Sequence, residues 1–469
     1  MTATTVVDGF AHPQAHSATP NQTRYIAFTV LGVALGSCLL VLMGRLDPAY
    51  GFAVPATACL AGVIAALLPR TFLMGLFVMA PLVWALGDAS VVQGERARVN
   101  LPMFVGFVIV VGFCHLLLLK DEDPAIDLIR KLVLAMGVAC LPSVFFAESF
   151  FTGAGGYMRV MCPYIVMFTI MRMTRSKEDV KRFARSMAWA LLSLAVLFLI
   201  AALRSELWVD FGGYTRLGAL YFQTQGLGMY LSVMVLVVLL NYLLTRKWRF
   251  LLLLSFPLVA LFLTYYRTAW IGGVVTLVLI ALHIGKALAR RILIIAGLLL
   301  LVFYSLFWQE LLRYDTQVDT VEVADKILSG RLQVDAIAIA AYLEAPVYNK
   351  IFGLGFFRAK EATGLVLGEQ FMIHDDYLAF LIEEGVFALA AYLAIVITLV
   401  KRSRQGKRRA KDRVTYDTCG AAFALLVAIM IMGIPGAFYT DVMSNLYIYG
   451  IMGLMLSQVR VVAAFPVEA

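Results

Sequence analysis

Long apolar blocks separated by short polar loops run along almost the whole sequence. Each block spans about 17–25 residues, which is the length that a helix needs to cross a bilayer. The blocks are solid rather than alternating, which argues against a transmembrane β-barrel. The pattern predicts an all-α polytopic membrane protein with about 12–14 transmembrane helices, the lower number applying if short blocks are re-entrant. The predicted spans are 25–44, 49–68, 71–87, 101–119, 128–146, 157–173, 183–203, 216–244, 250–264, 268–284, 292–308, 375–400, 416–434 and 442–459.

Composition and charge agree with this pattern. The chain has 469 residues, of which 62% are hydrophobic and 15% are charged, whereas a soluble domain carries about 25% charged residues. The net charge of +9 does not indicate a nucleic-acid partner, because Lys and Arg cluster in short loops and form no separate basic domain. The six cysteines show no C-x-x-C pair, so we interpret them as small core residues.

The basic loops give the predicted orientation. The densest basic run, 401–413, is expected in the cytoplasm. Counting back along the spans puts the loops at 175–182, 246–249 and 286–291 on the same side, and all three are basic. Both termini are then predicted to be cytoplasmic, and the segment 309–373 is predicted to lie in the periplasm.

This orientation divides the chain into four parts, and the long outer segment among them has an order of its own. Ser329-Gly330-Arg331 predicts a helix start with Ser329 as the N-cap, and Pro346 predicts a break. The segment is too apolar to be a disordered linker, so we interpret it as a structured lid. The four parts are a disordered cytoplasmic tail (1–24), a transmembrane bundle (25–308), a periplasmic loop or lid (309–373) and C-terminal transmembrane helices (374–469).

Three arginines lie at predicted outer ends of spans, where the positive-inside rule does not favour them. Arg216 is predicted to open the span 216–244, Arg267 to lie at the tip of a helical hairpin over 250–284, and Arg331 to follow the Ser329 cap. A guanidinium donates bidentate hydrogen bonds and stays protonated, which suits a diphosphate ligand. The alternative is that each side chain extends to lipid headgroup phosphates.

A histidine motif, His374-Asp375-Asp376-Tyr377-Leu378, opens the next apolar span. The positive end of the helix dipole and the nearby arginines are expected to lower the pKa of His374 and keep its imidazole neutral. A neutral imidazole can accept a proton from a sugar hydroxyl. Asp375 or Asp376 is expected to cap the helix or to orient the ring, and the alternative for His374 is a purely structural role.

An acidic motif, Glu383-Glu384-Gly385, follows more than two turns later. Because a carboxylate in a membrane is costly, both glutamates are expected to face the bundle interior or to pair with an arginine. The sequence has no Walker loop, no Asp-rich sugar-nucleotide site and no H-E-x-x-H spacing. We therefore predict no cofactor and no metal, with an activated lipid in the membrane as the source of energy and substrate.

These residues resemble the O-antigen ligase and O-antigen polymerase superfamily, which comprises bacterial inner-membrane glycosyltransferases of the GT-C kind. The superfamily's His-Asn/Asp-x-Tyr-Leu and Glu-x-Gly patterns correspond to the histidine motif and the acidic motif. Its Ser-Gly-Arg element corresponds to Ser329-Gly330-Arg331, and its Gly-x-Gly turn corresponds to Gly353-Leu354-Gly355, named here the glycine turn. Arg267-Thr268-Ala269-Trp270 fits the Arg-x-x-Trp element, whereas Arg216-Leu217-Gly218 shifts the glycine of Arg-x-x-Gly by one position. Asp375 stands where Asn is commoner.

The resemblance implies a metal-independent, inverting glycosyl transfer on the periplasmic face of the inner membrane. The donor would be an undecaprenyl-diphosphate-linked glycan, and His374 would deprotonate the acceptor hydroxyl. Diphosphate binding is expected at Arg216, Arg267 and Arg331, with support from Asp375, Asp376, Tyr377 and Glu384. The expected partners are the lipid-linked glycan, membrane lipid, and a flippase and chain-length regulator of the same pathway; no nucleic acid is expected.

Three functions remain open on the sequence. We favour a polysaccharide polymerase, and the first alternative is an O-antigen ligase that attaches finished chains to lipid A-core. The more distant alternative is a lipid-linked glycan transporter, which broken helices and charges at mid-membrane depth would favour. The sequence places the notable charges at the outer rim and shows no two related halves.

Overall fold

The computed structural model describes residues 60–65, 67–85, 90–94, 97–211, 214–218, 224–264, 266–287, 289–294, 297, 301, 304, 331–361, 373, 375–433 and 442–464. Over these residues the chain is a bundle of long helices, which confirms the predicted all-α polytopic membrane fold. Six helices of the described part are long and apolar enough to cross a bilayer, and four further apolar helices are shorter. The predicted tail, the span 25–44 and most of the span 292–308 lie outside the described residues.

The helices are numbered in chain order. They are α1 (Pro69–Ala85), α2 (Leu101–Leu118), α3 (Pro124–Phe146), α4 (Phe150–Met173), α5 (Lys177–Leu203), α6 (Thr224–Thr245), α7 (Arg249–Leu253), α8 (Ser255–Leu263), α9 (Arg267–His283), α10 (Arg331–Glu344), α11 (Val347–Phe352), α12 (Asp376–Ala379), α13 (Gly385–Arg409), α14 (Arg413–Met432) and α15 (Val442–Ala464). A five-residue π-helix, Phe380–Glu384, joins α12 to α13.

Two short antiparallel hairpins interrupt the helices, and the sequence reading did not predict them. One pairs β1 (Ser90–Gly94) with β2 (Ala97–Asn100), and the other pairs β3 (Trp208–Phe211) with β4 (Tyr214–Leu217).

The second hairpin corrects the prediction for Arg216. We expected Arg216 to open a transmembrane helix, but it lies on β4 opposite Val209, and α6 begins only at Thr224. The two residues between the paired Phe211 and Tyr214 are both glycine, a combination typical of tight hairpin turns. The apolar residues from 216 onward predicted one continuous span, but the first of them pair with β3 in the hairpin.

One end of the bundle, named the basic end, is tied together by ion pairs between the basic loops. Lys177 lies 3.6 Å from Asp412, and Arg246 and Arg413 both pair with the buried carboxylate of Asp417. That carboxylate also accepts a hydrogen bond of 2.9 Å from the backbone N–H of Gly285. The loops that the positive-inside count placed on one side therefore meet at one end.

Helix α15 runs through the centre of the bundle, where it packs on α4. Pro81 lies inside α1 and has no N–H to donate to the carbonyl of Phe77, four residues earlier. The hydroxyl of Tyr447, on α15, donates a hydrogen bond to that carbonyl. The Phe77 carbonyl, which Pro81 leaves without its usual partner in the helix, therefore accepts a hydrogen bond from a side chain on a neighbouring helix.

Candidate functional site

The end of the bundle opposite the basic end, named the motif end, carries the histidine motif. His374 itself lies outside the described residues, but Ile373 and Asp375 on either side of it are described. The Asp375 carboxylate caps α12 by accepting a hydrogen bond of 2.9 Å from the N–H of Leu378. The N–H of Asp376 donates to the carbonyl of Gly433, at 2.8 Å. The backbone after His374 is therefore fixed to the end of α14, and Asp375 takes the capping role that the sequence allowed.

The acidic motif lies in the π-helix that follows α12. Glu383 and Glu384 are both buried, as the sequence predicted, and Glu384 has no exposed surface. The π-helix ends at Gly385, which has a φ of +87°. Single π-helical turns occur often at functional sites, since they change the direction of side chains and backbone groups within a helix.

The glycine turn packs directly on the acidic motif. The N–H of Leu354 donates to the carbonyl of Ile382 at 2.8 Å, and the N–H of Gly355 donates to that of Glu383 at 3.0 Å. Gly353 has a φ of +84°, and a Cβ there would overlap the carbonyl of Glu383. The glycine turn (353–355) and the acidic motif (383–385), which are far apart in the sequence, therefore meet backbone to backbone, and the contact requires glycine.

A small apolar cluster packs the outer segment onto the histidine motif. It contains Ala338 of α10, Ile373, Ala379 of α12 and Ile382 of the π-helix. Helix α10 begins at Arg331, where the sequence predicted a helix start; the Arg331 side chain and Ser329 lie outside the described set. Because Ile373 is buried in this cluster, the residue that precedes His374 is held between α10 and the π-helix.

The other two predicted arginines lie on different elements of the motif end. Arg267 is the first residue of α9, as predicted for a hairpin tip, although its side chain is outside the description. A Cβ on Gly272 would overlap Met432, the neighbour of the Gly433 that accepts from Asp376. Helix α9 thus packs beside the anchor of the histidine motif. Arg216 is half-buried on β4, and β4 packs on α8. It therefore lies at the motif end but outside the apolar cluster around Ile373.

A polar cleft opens between α4, α12, α13, α14 and α15, and it brings in residues that sequence reasoning missed. Arg159 and Asn445 line it together with Asp376. Arg159 sits inside the predicted span 157–173, and a charge within a span is a functional candidate by default. That signal could have found Arg159, but the high hydropathy of the surrounding block concealed it.

Aromatic side chains form the rest of the cleft wall. The hydroxyls of Tyr164 and Tyr449 lie 3.0 Å apart, and Tyr449 is also hydrogen-bonded to Tyr392. The rings of Phe380 and Tyr392 stack with centroids 4.8 Å apart. Arg159 extends from α4 so that its guanidinium lies 5.1 Å from the ring centroid of Phe357, just after the glycine turn. The cleft therefore combines cationic, anionic, amide and aromatic groups beside the histidine motif.

Within the described ranges, no group of three or more His, Cys, Asp or Glu side chains is placed to hold a metal ion. The prediction of metal-independent chemistry stays a prediction.

Part of the chain matches a known protein family. Residues 250–393 match a family model described as O-Antigen ligase. The matched range contains Arg267, Arg331, the glycine turn, the histidine motif and the acidic motif. It confirms the resemblance to the O-antigen ligase and polymerase superfamily. No curated protein matches the chain.

Proposed function

We propose that this multi-pass membrane protein of the O-antigen ligase and polymerase superfamily transfers a glycan from an undecaprenyl-diphosphate carrier to a sugar hydroxyl. The reaction takes place at the motif end, on the periplasmic face of the inner membrane, with both chain termini in the cytoplasm. It builds a surface polysaccharide, an exopolysaccharide or an O-antigen, and it needs no metal ion.

The observation that carries the proposal is the convergence of separate motifs on one end of the bundle. The glycine turn, the acidic motif and the residues flanking His374 contact one another through backbone hydrogen bonds and a shared apolar cluster. All of them lie within the range that matches the O-antigen ligase family. The basic loops lie at the opposite end, and the positive-inside rule therefore supports a periplasmic reaction.

The reaction is a single displacement. His374 takes the proton from the acceptor hydroxyl, and the oxygen attacks the anomeric carbon of the donor sugar. The bond between that carbon and the diphosphate oxygen breaks, and the lipid diphosphate leaves with the electron pair. Because the attack is in line, the configuration at the anomeric carbon is inverted.

The positive charges of Arg216, Arg267 and Arg331 stabilise the negative charge that develops on the leaving diphosphate. Their guanidinium groups can donate two parallel hydrogen bonds to phosphate oxygens. Fixed donors of this kind act most strongly where water is excluded. Asp375, Asp376, Tyr377 and Glu384 hold the surrounding backbone and helices in place.

The direct test is His374→Ala in membranes supplied with lipid-linked glycan. We expect product formation to fall by about 10²–10⁴-fold, the usual contribution of a general base, with expression unchanged. Normal product formation by the well-expressed variant would overturn the catalytic assignment. A loss of wild-type activity on adding a chelator would contradict the metal-independent mechanism.

The same chemistry serves a polymerase and a ligase, and the acceptor distinguishes them. A polymerase adds the growing glycan to a new lipid-linked repeat, and we favour this function. The family description, O-Antigen ligase, supports the alternative, in which the finished chain moves to lipid A-core. Deleting the gene separates the two: single-repeat products indicate a polymerase, and full-length chains that accumulate on the carrier lipid indicate a ligase.

One observation favours a transporter as the second candidate. The helix from Asp376 to Arg409 is interrupted by a π-helical turn that carries two buried glutamates, and transporters often use broken helices with charges inside the membrane. Proteoliposomes distinguish the functions. Transfer of the glycan to a new acceptor supports the transferase, whereas movement of the intact lipid-linked glycan between leaflets supports the transporter.

A further inference from the structure

The outer segment presents apolar side chains on both sides of helix α10. Its inner side carries Val334 and Ala338, which are buried, and Ala338 belongs to the apolar cluster around Ile373. The opposite side of α10, together with the start of α11, exposes Ala336, Ile339, Ala340, Leu343, Val347 and Tyr348. A helix whose outer side faces water carries charged and polar residues there. The outer side of this segment therefore does not suit an aqueous surface.

The exposed side, named the outer face, is strongly exposed at its centre. Leu343 is 63% exposed, Val347 is 70% exposed and Tyr348 is 55% exposed. Among the described side chains of α10, the exposed polar ones are Gln333 and Glu344, which lie near its two ends. A contiguous exposed apolar surface of this kind marks a contact with a membrane or with another protein.

Helix α11 holds the outer face against the ends of two membrane spans. It packs on α3 and α13, which both belong to helices long and apolar enough to cross a bilayer. The Ser143 hydroxyl of α3 donates to the carbonyl of Phe352 at 3.1 Å. The ring centroid of Tyr348 lies 6.1 Å from that of Phe146, the last residue of α3. The ring of Phe352 lies 6.2 Å from that of Phe387, in the first turn of α13.

The surfaces of α3 and α13 that adjoin α11 decide which partner covers the outer face. Phe145 on α3 and Phe387 on α13 are both largely exposed. Exposed apolar side chains on a membrane span contact the acyl chains of lipids. The outer face of α10 and α11 continues this surface without a polar boundary at α11, so the same acyl chains fit it.

We propose that the outer face of α10 and α11 inserts into the membrane leaflet at the motif end, with lipid acyl chains as its partner. The outer segment then lies in the membrane surface as an interfacial anchor, instead of covering the bundle from the aqueous side. Phe352 directly precedes the glycine turn, and Ala338 packs beside Ile373. The anchor therefore holds the glycine turn and the histidine motif at the level of the lipid headgroups. This inference does not depend on the proposed glycosyl transfer.

The test places the photoreactive residue p-benzoylphenylalanine at Leu343 or at Val347 of the full chain in nanodiscs of phosphatidylethanolamine and phosphatidylglycerol. After irradiation, mass spectrometry identifies what each probe has captured. The same probe at Val138, exposed on α3, is the lipid-facing control, and at Lys411, exposed between α13 and α14, the water-facing control. An interfacial helix buries its apolar face about 5–10 Å deep, so we expect acyl-chain adducts at Leu343 and Val347 at least about tenfold above those at Lys411 and within about threefold of those at Val138.

Because a photoreactive side chain can disturb packing, Tyr348→Trp gives a second measurement. Tyrosine and tryptophan both favour the membrane interface, so this change should preserve the fold. The chain has six native tryptophans, and the fluorescence of the added one is the difference between the variant and the wild type. Lipids brominated on their acyl chains are expected to quench this difference signal.

The outcomes separate the possible occupants of the outer face. Acyl-chain adducts at Leu343 and Val347, with quenching in Tyr348→Trp, support the anchor. Adducts only with a second copy would assign the face to a dimer, and adducts only within the same chain would show that another segment covers it; either result overturns the anchor. Capture at the low level of Lys411 without quenching also overturns it. No glycan is present in these measurements, so their outcome is independent of whether the chain transfers one.

Discussion

The two ends of the bundle bury charged groups in different ways. At the basic end, the Asp417 carboxylate pairs with two arginines and the backbone N–H of Gly285. Arg402 pairs with Asp123, and Arg70 pairs with Asp179. Apart from the pair of Arg413 with Asp417, which lies within α14, these bonds join separate segments of the chain, so the charges at this end hold the bundle together.

At the motif end, backbone hydrogen bonds connect separate segments of the chain. The glycine turn bonds the π-helix, and the N–H of Asp376 bonds the Gly433 carbonyl. The Asp376 side chain lines a cleft together with Arg159 and Asn445. The comparison indicates that substitutions at the basic end should cost stability, whereas substitutions at the motif end should cost activity.

Among the variants that test this comparison between the two ends, Gly353→Ala in the glycine turn has the largest expected effect. The residue has a φ of +84° and a Cβ would overlap the Glu383 carbonyl. The left-handed backbone alone costs about 1–3 kcal/mol for a residue with a side chain, so the turn should leave the π-helix. We expect glycan transfer to fall below about 1% of wild type, as expected when catalytic groups are displaced by about 1 Å.

Gly75→Ala is the matched control, because a Cβ at that position in α1 meets no atom within 4 Å. It should keep full transfer activity. Full activity in Gly353→Ala would show that the contact between the glycine turn and the acidic motif has no part in the reaction.

The second effect is at the basic end, where Asp417→Ala leaves two arginines and one N–H without their shared carboxylate. Removing one partner of a buried ion pair costs about 3–5 kcal/mol. We expect a lower melting temperature and less folded protein, with unchanged transfer activity for each folded molecule. Asp376→Asn, two residues from His374, should do the reverse and lower transfer activity by a larger factor than it lowers the amount of folded protein. If both variants change the same quantity, the two ends do not differ in the way described.

Much of the helical framework follows from the sequence, because a block of about twenty apolar residues has few alternatives in a membrane. The positive-inside count grouped the basic loops, which Lys177, Asp412 and Asp417 do bring together. The N-cap of α12 could be predicted in type, since Asp is a preferred capping residue. These features depend on local composition and short-range chemistry.

Other features depend on tertiary contacts that no local pattern records. The π-helix exists where the glycine turn bonds the carbonyls of Ile382 and Glu383. Arg159 was hidden because one charge barely changes the hydropathy of a long block. Its position beside Asp376 depends on the packing of α4 against α15, which no local pattern shows. Arg216 was assigned to a helix because hydropathy alone cannot distinguish the edge of a span from a short hairpin.

A smaller effect separates the two roles that the sequence allowed for Asp375. Asp375→Ser keeps an oxygen that can cap α12, whereas Asp375→Ala removes it at a cost of about 1 kcal/mol. If capping is the role, the serine variant should retain both stability and transfer activity, and the alanine variant should lose some of each. Stability and the rate of transfer are measured on the same preparations. A serine variant that is stable but inactive would indicate that the carboxylate orients His374.

The smallest expected effect concerns the pH dependence of stability at the basic end. Burial raises the pKa of the Asp123 carboxyl, but the hydrogen bond and charge of Arg402 and the N–H groups of Ala125 and Ile126 lower it more, so the pKa is below its usual value of 3.8. A carboxyl with a lowered pKa stabilises the folded state above its unfolded pKa, and that contribution is lost as the pH falls through its folded pKa.

Asp123→Asn should therefore reduce the melting temperature slightly at neutral pH and make the loss of stability below about pH 4 less steep. The ion pair is partly exposed, with side-chain exposures of 6% for Arg402 and 22% for Asp123, so screening by solvent keeps the change small. Thermal unfolding from about pH 3 to pH 7 measures it, and Asp412→Asn tests a second carboxyl of lowered pKa at the same end. Curves of equal slope for wild type and Asp123→Asn would show that Arg402 does not stabilise the basic end through this carboxylate. The ion pair between Arg402 and Asp123 would then no longer support the contrast between the two ends of the bundle.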